Sequence, residues 1–260
     1  SGTVTTMTDM ETSDTVLRPL VLLVHGAWHG AWCWAALQSE LDQHGIASLA
    51  IDLPGHGAST LPLCDMHGDA QHVADVASKI GRPVVLVGHS YGGGVIGEAA
   101  HLLCESPASP VQHLVYLTAF CLDEGESVGG LAASLPPENA LLNAAILPGP
   151  DGASGGTLVL DCTKAHDALY GCCPANVSDA AIARLSPQPV ATLGQPASSA
   201  PWKTLPSTYV VCEQDQAVHP NHQRIMAERC GAVHSLNTDH SPFVSMTVET
   251  AAIIKNIVLA

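Results

Sequence analysis

Basic side chains are scarce in this chain. Nine Lys and Arg stand against 24 Asp and Glu, which gives a formal charge of −15. Such a surface repels nucleic acid and anionic membrane and favours neutral or cationic small partners. No apolar run approaches the ~20 residues of a membrane span. The N-terminal stretch, rich in Thr, Ser and Asp, lacks the basic and apolar regions of a signal peptide. A cytoplasmic location is therefore expected, with secretion left open if a signal was removed. None of the nine cysteines forms a C-x-x-C pair, which argues against a zinc or redox motif. The thiols read as small buried hydrophobes, with a disulfide at Cys172 or Cys173 left open.

Apolar residues make up 47% of the 260 residues and charged ones 13%, a globular composition with a sizeable core. The apolar stretch Leu20–His25 has no polar alternation and suits a strand buried on both faces. A helix is expected over Trp32–His44, closed by Gly45. A strand over Ile46–Ile51, a helix over Asp69–Ile80, a strand over Pro83–Val87, a helix over Tyr91–Cys104 and a strand over Val111–Leu117 follow. The rhythm then breaks between 122 and 201, where Pro and Gly are frequent and helical patches such as Asp179–Leu185 are short. A structureless loop of that length is implausible within a compact domain, so an inserted cap is expected. Strands over Thr208–Cys212 and Ala232–Leu236 resume the pattern, with helices over Asn221–Arg229 and Pro242–Val258. The expected fold is α/β: a mostly parallel, doubly wound sheet with an inserted, mainly helical cap. Its parts are a disordered tail (1–18), a core (19–121 and 202–260) and the cap (122–201).

Gly88-His89-Ser90-Tyr91-Gly92 is a G-x-S-x-G motif directly after the apolar strand Val84–Val87 and directly before a helix-compatible stretch. That is the context in which a serine sits on a strained strand-to-helix turn, its hydroxyl exposed above the sheet. Gly88 and Gly92 keep the turn free of bulk, and Gly93 and Gly94 add room. The following helix aims its N-terminal dipole at developing negative charge. The bland alternative is a glycine-rich turn with an incidental serine, which the flanking elements disfavour. His89 reads as structural.

A serine hydroxyl needs a base, and the base needs an orienting acid. On such an elbow the chain order is Ser, acid, His. Of 14 histidines, His240 lies on the loop after the last strand, just before Pro242. His234 lies inside that strand, and His219 and His222 follow the acid too closely. Asp215, in the loop after Thr208–Cys212, is the expected acid. Glu213 sits too close to the strand end, Asp123 after the fourth strand is the main rival, and Asp239 reads as a solvent-exposed neighbour. The oxyanion of a tetrahedral intermediate needs two backbone N–H donors. Tyr91 and Ala27 are the expected pair, with Gly26 giving the backbone room. His25 and His29 share their loop with no third ligand, so a metal site is not expected there.

Five segments carry a resemblance: H-G-A-x-H-G-A-W (His25–Trp32), D-L-P-G-H-G-x-S (Asp52–Ser59), G-H-S-Y-G-G (Gly88–Gly93), L-T-A-F (Leu117–Phe120) and D-H-S-P-F (Asp239–Phe243). Together they resemble the small lid-bearing α/β-hydrolases, above all the plant methylesterase and hydroxynitrile-lyase group and its bacterial esterase relatives. The similarity spans about residues 20 to 260 and is thin in the cap. It implies a serine esterase that needs no metal or cofactor and acts on a small-molecule ester or lactone, as a monomer or homodimer. The hydroxynitrile lyases similar to this chain carry Thr where Gly26 stands and Lys where Ser241 stands, so the resemblance implies hydrolysis over cyanohydrin cleavage. A lyase on the same residues and a non-catalytic ligand receptor are the competing readings. Trp28, Phe120 and Phe243, with Gly26, are the expected substrate contacts.

Overall fold

The computed structural model describes residues 17–104, 108–151, 153 and 155–260. The expected tail therefore lies, except for its last two residues, outside the described residues. The first half alternates strand and helix: β1 (Leu20–Val24), α1 (Ala35–Gln43), β2 (Ser48–Ile51), α2 (Met66–Ile80), β3 (Val84–Ser90), α3 (Gly92–Cys104) and β4 (Val111–Ala119). An inserted segment comes next, with α4 (Val128–Ser134), α5 (Leu142–Ala145), β5 (Ile146–Pro148), β6 (Thr157–Leu160), α6 (Cys162–Leu169), α7 (Ala175–Ile182), β7 (Gln188–Pro189) and α8 (Ala191–Gly194). The chain closes with β8 (Ser207–Cys212), α9 (Pro220–Ala227), β9 (Ala232–Leu236), α10 (Pro242–Ser245) and α11 (Thr247–Leu259).

The main sheet is parallel throughout, in the order β2-β1-β3-β4-β8-β9. Successive strand residues feed opposite faces. Leu22, Val24 and Leu86 join Val73 and Ala77 of α2 and Val95 and Ala99 of α3 in one core. Val21, Leu23, Val85 and Val87 join Leu37 and Leu41 of α1 and Ile254 of α11 in the other. This double covering explains why the central strands carry unbroken Val and Leu. The chain runs outward from β1 to β2, then returns to build on the other side through β3. The C-terminal ends of β1 and β3 thus flank the reversal point where such sheets form their crevice.

Local signals set the element ends. Asp65 caps α2 by accepting from the Gly68 N–H at 2.8 Å, so the helix starts three residues before the expected Asp69. It stops at Gly81, whose φ of +69° is left-handed. The expected first helix opens instead as a 3-10 turn, Ala31–Trp34. The last helix is divided into α10 and α11 at Met246. Besides its helices, the inserted segment carries a small antiparallel sheet, β5-β6-β7. All nine cysteines are unpaired by disulfide. Cys172 is exposed and Cys173 buried, and neither forms the disulfide that the sequence left open.

Candidate active site

Ser90 ends β3 with φ +53°, in the left-handed region that non-glycine residues rarely occupy. Close packing forces the turn. A Cβ at Gly92, the first residue of α3, would stand 2.6 Å from the Val24 carbonyl oxygen, so only glycine lets the helix start against the end of β1. Two more non-glycine residues have positive φ, Trp28 (+64°) and Thr118 (+43°). All three lie at or just beyond the ends of adjacent strands. Such outliers cluster where surrounding structure holds a site in place.

Asp215 and His240 are both buried, and His240 Nδ1 lies 2.6 Å from Asp215 Oδ2. The carboxylate is saturated with donors. Its Oδ1 accepts the N–H groups of Ala217 (2.7 Å) and Val218 (2.9 Å). Its Oδ2 also accepts from Gln223 Nε2 (3.1 Å) and from the Thr118 hydroxyl. Thr118 reaches it because β4 bulges there. His89 pairs with Leu117 and Ser90 with Ala119, which leaves Thr118 as the extra residue. Five donors around one carboxylate fix its orientation and make it the acceptor for the imidazole Nδ1–H, leaving Nε2 as the basic nitrogen.

His89 does more than space the motif. Its Nε2 donates to the His240 carbonyl at 2.6 Å, and the two rings are 4.5 Å apart. Complete burial holds its pKa well below the ordinary histidine value, with the nearby His240 and His29 adding to the shift. The ring is therefore neutral, and its Nδ1 is buried without a partner. Ser90 and His240 are thus joined through His89. Among the described residues, no hydrogen bond links the Ser90 hydroxyl directly to His240. Nucleophile–base contacts in unliganded enzymes often tighten only once substrate is bound.

The loop after β1 is fixed by buried histidines whose tautomers are set by their neighbours. Leu53 N–H donates to His25 Nε2 (3.1 Å), so Nδ1 carries the proton and donates to the Gly26 carbonyl (2.8 Å). This turns the Gly26–Ala27 peptide so that the Ala27 N–H points away from His25. His29 Nδ1 donates to the Ala27 carbonyl (2.8 Å), and its Nε2 accepts from the Tyr170 hydroxyl (2.7 Å). Burial lowers both histidines, His29 to about 4, so the loop is pinned by uncharged rings. Tyr91 is buried, and its hydroxyl donates to Asp69 Oδ2 at 2.6 Å.

A cavity of about 380 Å³ opens beside Ser90. Ala27, Trp28, Tyr91 and Phe120 line it from the core, and Val128, Gly129, Ala132, Leu142 and Ile146 from the inserted segment. Among the described residues, no charged side chain lines it. The residues there with polar side-chain atoms are Trp28, Ser90, Tyr91 and Asn143. Among the described residues, no group of three His, Cys, Asp or Glu is placed to hold a metal ion, and no helix is long and apolar enough to cross a membrane.

Residues 21–253 match the Alpha/beta hydrolase family. The chain belongs to that family. The alpha/beta hydrolase nvfD of Aspergillus novofumigatus (strain IBT 16806) is 31% identical, covering 93% of this chain and 97% of the relative. Methylesterase 2 of Arabidopsis thaliana is 27% identical over 85% of this chain and 89% of the relative. Among solved structures, a pyrethroid hydrolase from Sphingobium faniae JZ-2 superposes with a TM-score of 0.78 at 26% identity, covering 93% of this chain and 98% of the other.

In this alpha/beta hydrolase the expected site residues do not all converge. Ala27, Trp28, Ser90, Tyr91 and Phe120 meet at the cavity. Gly26 stands beside Ser90, since a Cβ there would lie 3.0 Å from the serine Cβ. Phe243 is a correction. It is fully buried, 5.0 Å from the Trp34 ring and 4.8 Å from the His89 ring, because α10 turns it into the core behind the histidines. Asp239 is a second correction. It is buried and accepts from the N–H groups of Cys172 and Ser241 and from the Ser245 hydroxyl, so it braces the His240 loop instead of facing solvent. The rival acid Asp123 is ion-paired with Lys203 at 3.0 Å on the surface. Thr118 and Gln223 complete the Asp215 cradle without a signal in sequence; only the bulge brings Thr118 there.

Proposed function

We propose that this hydrolase cleaves a carboxylic ester of a small, largely apolar molecule through a Ser90–His240–Asp215 triad. The carrying observation is the buried His240–Asp215 pair, linked through His89 to the strained Ser90 at the mouth of an apolar cavity. His240 Nε2 takes the proton as the Ser90 oxygen attacks the ester carbonyl. Asp215 holds the imidazole in the required tautomer and stabilises the imidazolium. The Ala27 and Tyr91 N–H groups receive the oxyanion. Collapse expels the alcohol, which takes the proton from His240. Water, activated by the same base, then hydrolyses the acyl-enzyme. Neither half-reaction requires a metal or cofactor.

The cavity supports the substrate class. Its size suits a drug-sized ligand or smaller, and a wall without charge penalises any ionic group placed against it. Relatives named methylesterase and pyrethroid hydrolase support the same class. The competing lyase reading gains nothing from position 241, where a buried serine donates to the Leu169 carbonyl at 2.7 Å and supplies no cation. The test is a panel of p-nitrophenyl esters of rising chain length, with lactones, on wild type and Ser90→Ala. The wild type turns over at least one ester and the variant loses nearly all of that activity. A fluorophosphonate labels Ser90. Equal rates in the two proteins would sink the assignment.

A further inference from the structure

The loop carrying Ala27 is not held by the core alone. Its next residue, Trp28, is tied to the inserted segment at three separate atoms. The backbone N–H donates to Gln188 Oε1 (3.2 Å), the indole Nε1–H donates to the Leu158 carbonyl (3.0 Å), and the backbone carbonyl accepts from the Ser186 N–H (3.0 Å). The inserted sheet thus grips the one residue of this loop held at positive φ.

Gln188 is the keystone of that grip. It is fully buried in β7. Its Oε1 receives Trp28 N–H and lies 2.9 Å from His56 Nε2. Its Nε2 donates to Thr192 Oγ1 (2.8 Å), whose hydroxyl donates to the Pro189 carbonyl (2.6 Å). The hydroxyl chain fixes which end of the amide faces Trp28, so the oxygen is the only group that can meet that N–H. Gln188 does not line the cavity. It touches the Ala27–Trp28 peptide, and Ala27 bears the N–H assigned to the oxyanion.

We infer that Gln188 is a positioning residue for the oxyanion hole: it sets the Trp28 peptide in its left-handed geometry and so aims the Ala27 N–H at the reacting carbonyl. This rests on the esterase reading above. Removing the amide acceptor leaves the buried Trp28 N–H unsatisfied, and that peptide relaxes by rotating. A donor displaced by about 1 Å costs up to ~100-fold in rate, and loss of one costs ~100- to 1,000-fold. The Gln188 side chain itself does not line the cavity, so ground-state binding is expected to change far less than the rate.

The experiment compares wild type, Gln188→Leu, Gln188→Glu and Thr192→Val. Steady-state kinetics are run on the best p-nitrophenyl ester. Calorimetry measures binding of a trifluoromethyl ketone, whose hemiketal oxyanion occupies the hole, and of the matching methyl ketone. In Gln188→Leu, kcat falls about 10- to 100-fold with little change in KM. Trifluoromethyl ketone affinity falls in parallel, and methyl ketone affinity holds. Gln188→Glu keeps an oxygen at Trp28 and restores most of the rate. Thr192→Val, which frees the amide without removing it, shows a smaller loss of the same kind and carries the test should Gln188→Leu fail to fold. An unchanged kcat in both Gln188→Leu and Thr192→Val, or a loss confined to KM, overturns the inference. So does a rate loss without weaker trifluoromethyl ketone binding. The ketone measurements need no turnover, so a wild type inactive on every ester would count against the esterase reading while the clamp is still read.

Discussion

Replacing Asp215 by Asn removes a charge without removing volume, and the hydrogen bonds around the site determine the outcome. An asparagine must place its NH₂ group on one side. On the Oδ1 side it would face the N–H groups of Ala217 and Val218, leaving buried donors opposed, at about 1–3 kcal/mol each. The NH₂ therefore turns to the Oδ2 side, toward His240 Nδ1. The Thr118 hydroxyl can reverse its role there and Gln223 keeps the Val218 carbonyl as acceptor (2.7 Å), but the imidazole can adapt only by moving its proton to Nε2. The nitrogen that serves as base in the proposed mechanism then carries a proton and cannot accept one. An acid-to-amide change of this kind costs ~10,000-fold in kcat, or about 5 kcal/mol at 1.36 kcal/mol per tenfold. KM is expected to stay near the wild-type value, because Asp215 does not line the cavity. Initial rates with p-nitrophenyl butyrate, with circular dichroism to confirm the fold, read the result. A variant within tenfold of wild-type kcat would refute the tautomer argument and with it the role given to Asp215.

Two further substitutions probe neighbouring parts of the site. A Cβ at Gly26 would sit 3.0 Å from the His89 carbonyl oxygen and 3.0 Å from Ser90 Cβ. Gly26→Thr should therefore lower kcat by about tenfold or more and destabilise the fold by about 1–3 kcal/mol, read by kinetics and thermal melts; a fully active, equally stable variant would contradict this packing. Burial pushes the Asp69 carboxyl up to about 7, against the lowering effect of its bonds from Tyr91 and Cys64. A carboxyl raised in the folded state holds its proton longer than in the unfolded chain, so its share of stability is present below pH ~4 and lost as pH rises toward 7. Melting temperatures of Asp69→Asn should lack that decline, and parallel pH curves for the two proteins would count against it.

The sequence made the catalytic half of the fold readable because burial leaves a plain signature there. Val84–Val87 is apolar on both faces since α2 and α3 cover one side and α1 and α11 the other. The elbow at Ser90 and the loops bearing Asp215 and His240 sit at strand ends that such runs mark. The inserted segment hides its order. β5, β6 and β7 are two to four residues long and pair across distant parts of the chain, too short for any periodicity to show. Gln188 belongs to one of these strands, so its part in the site had no local signal. Phe243 misled for a different reason. An aromatic three residues past His240 suits a pocket wall as well as a core, and only the turn of α10 decides.

The left-handed backbones of Trp28, Ser90 and Thr118 bear on how this protein tolerates change. Each costs on the order of 1–3 kcal/mol that the rest of the chain must supply. Glycine at any of the three would relieve that burden while erasing an indole anchor, the proposed nucleophile or a carboxylate donor. At Ser90, whose side chain is small, selection for heat resistance alone would therefore favour a glycine that melts later and turns over nothing. At Trp28 and Thr118 the buried indole and hydroxyl offset the same strain, so durability and turnover pull in opposite directions at Ser90 alone among the three.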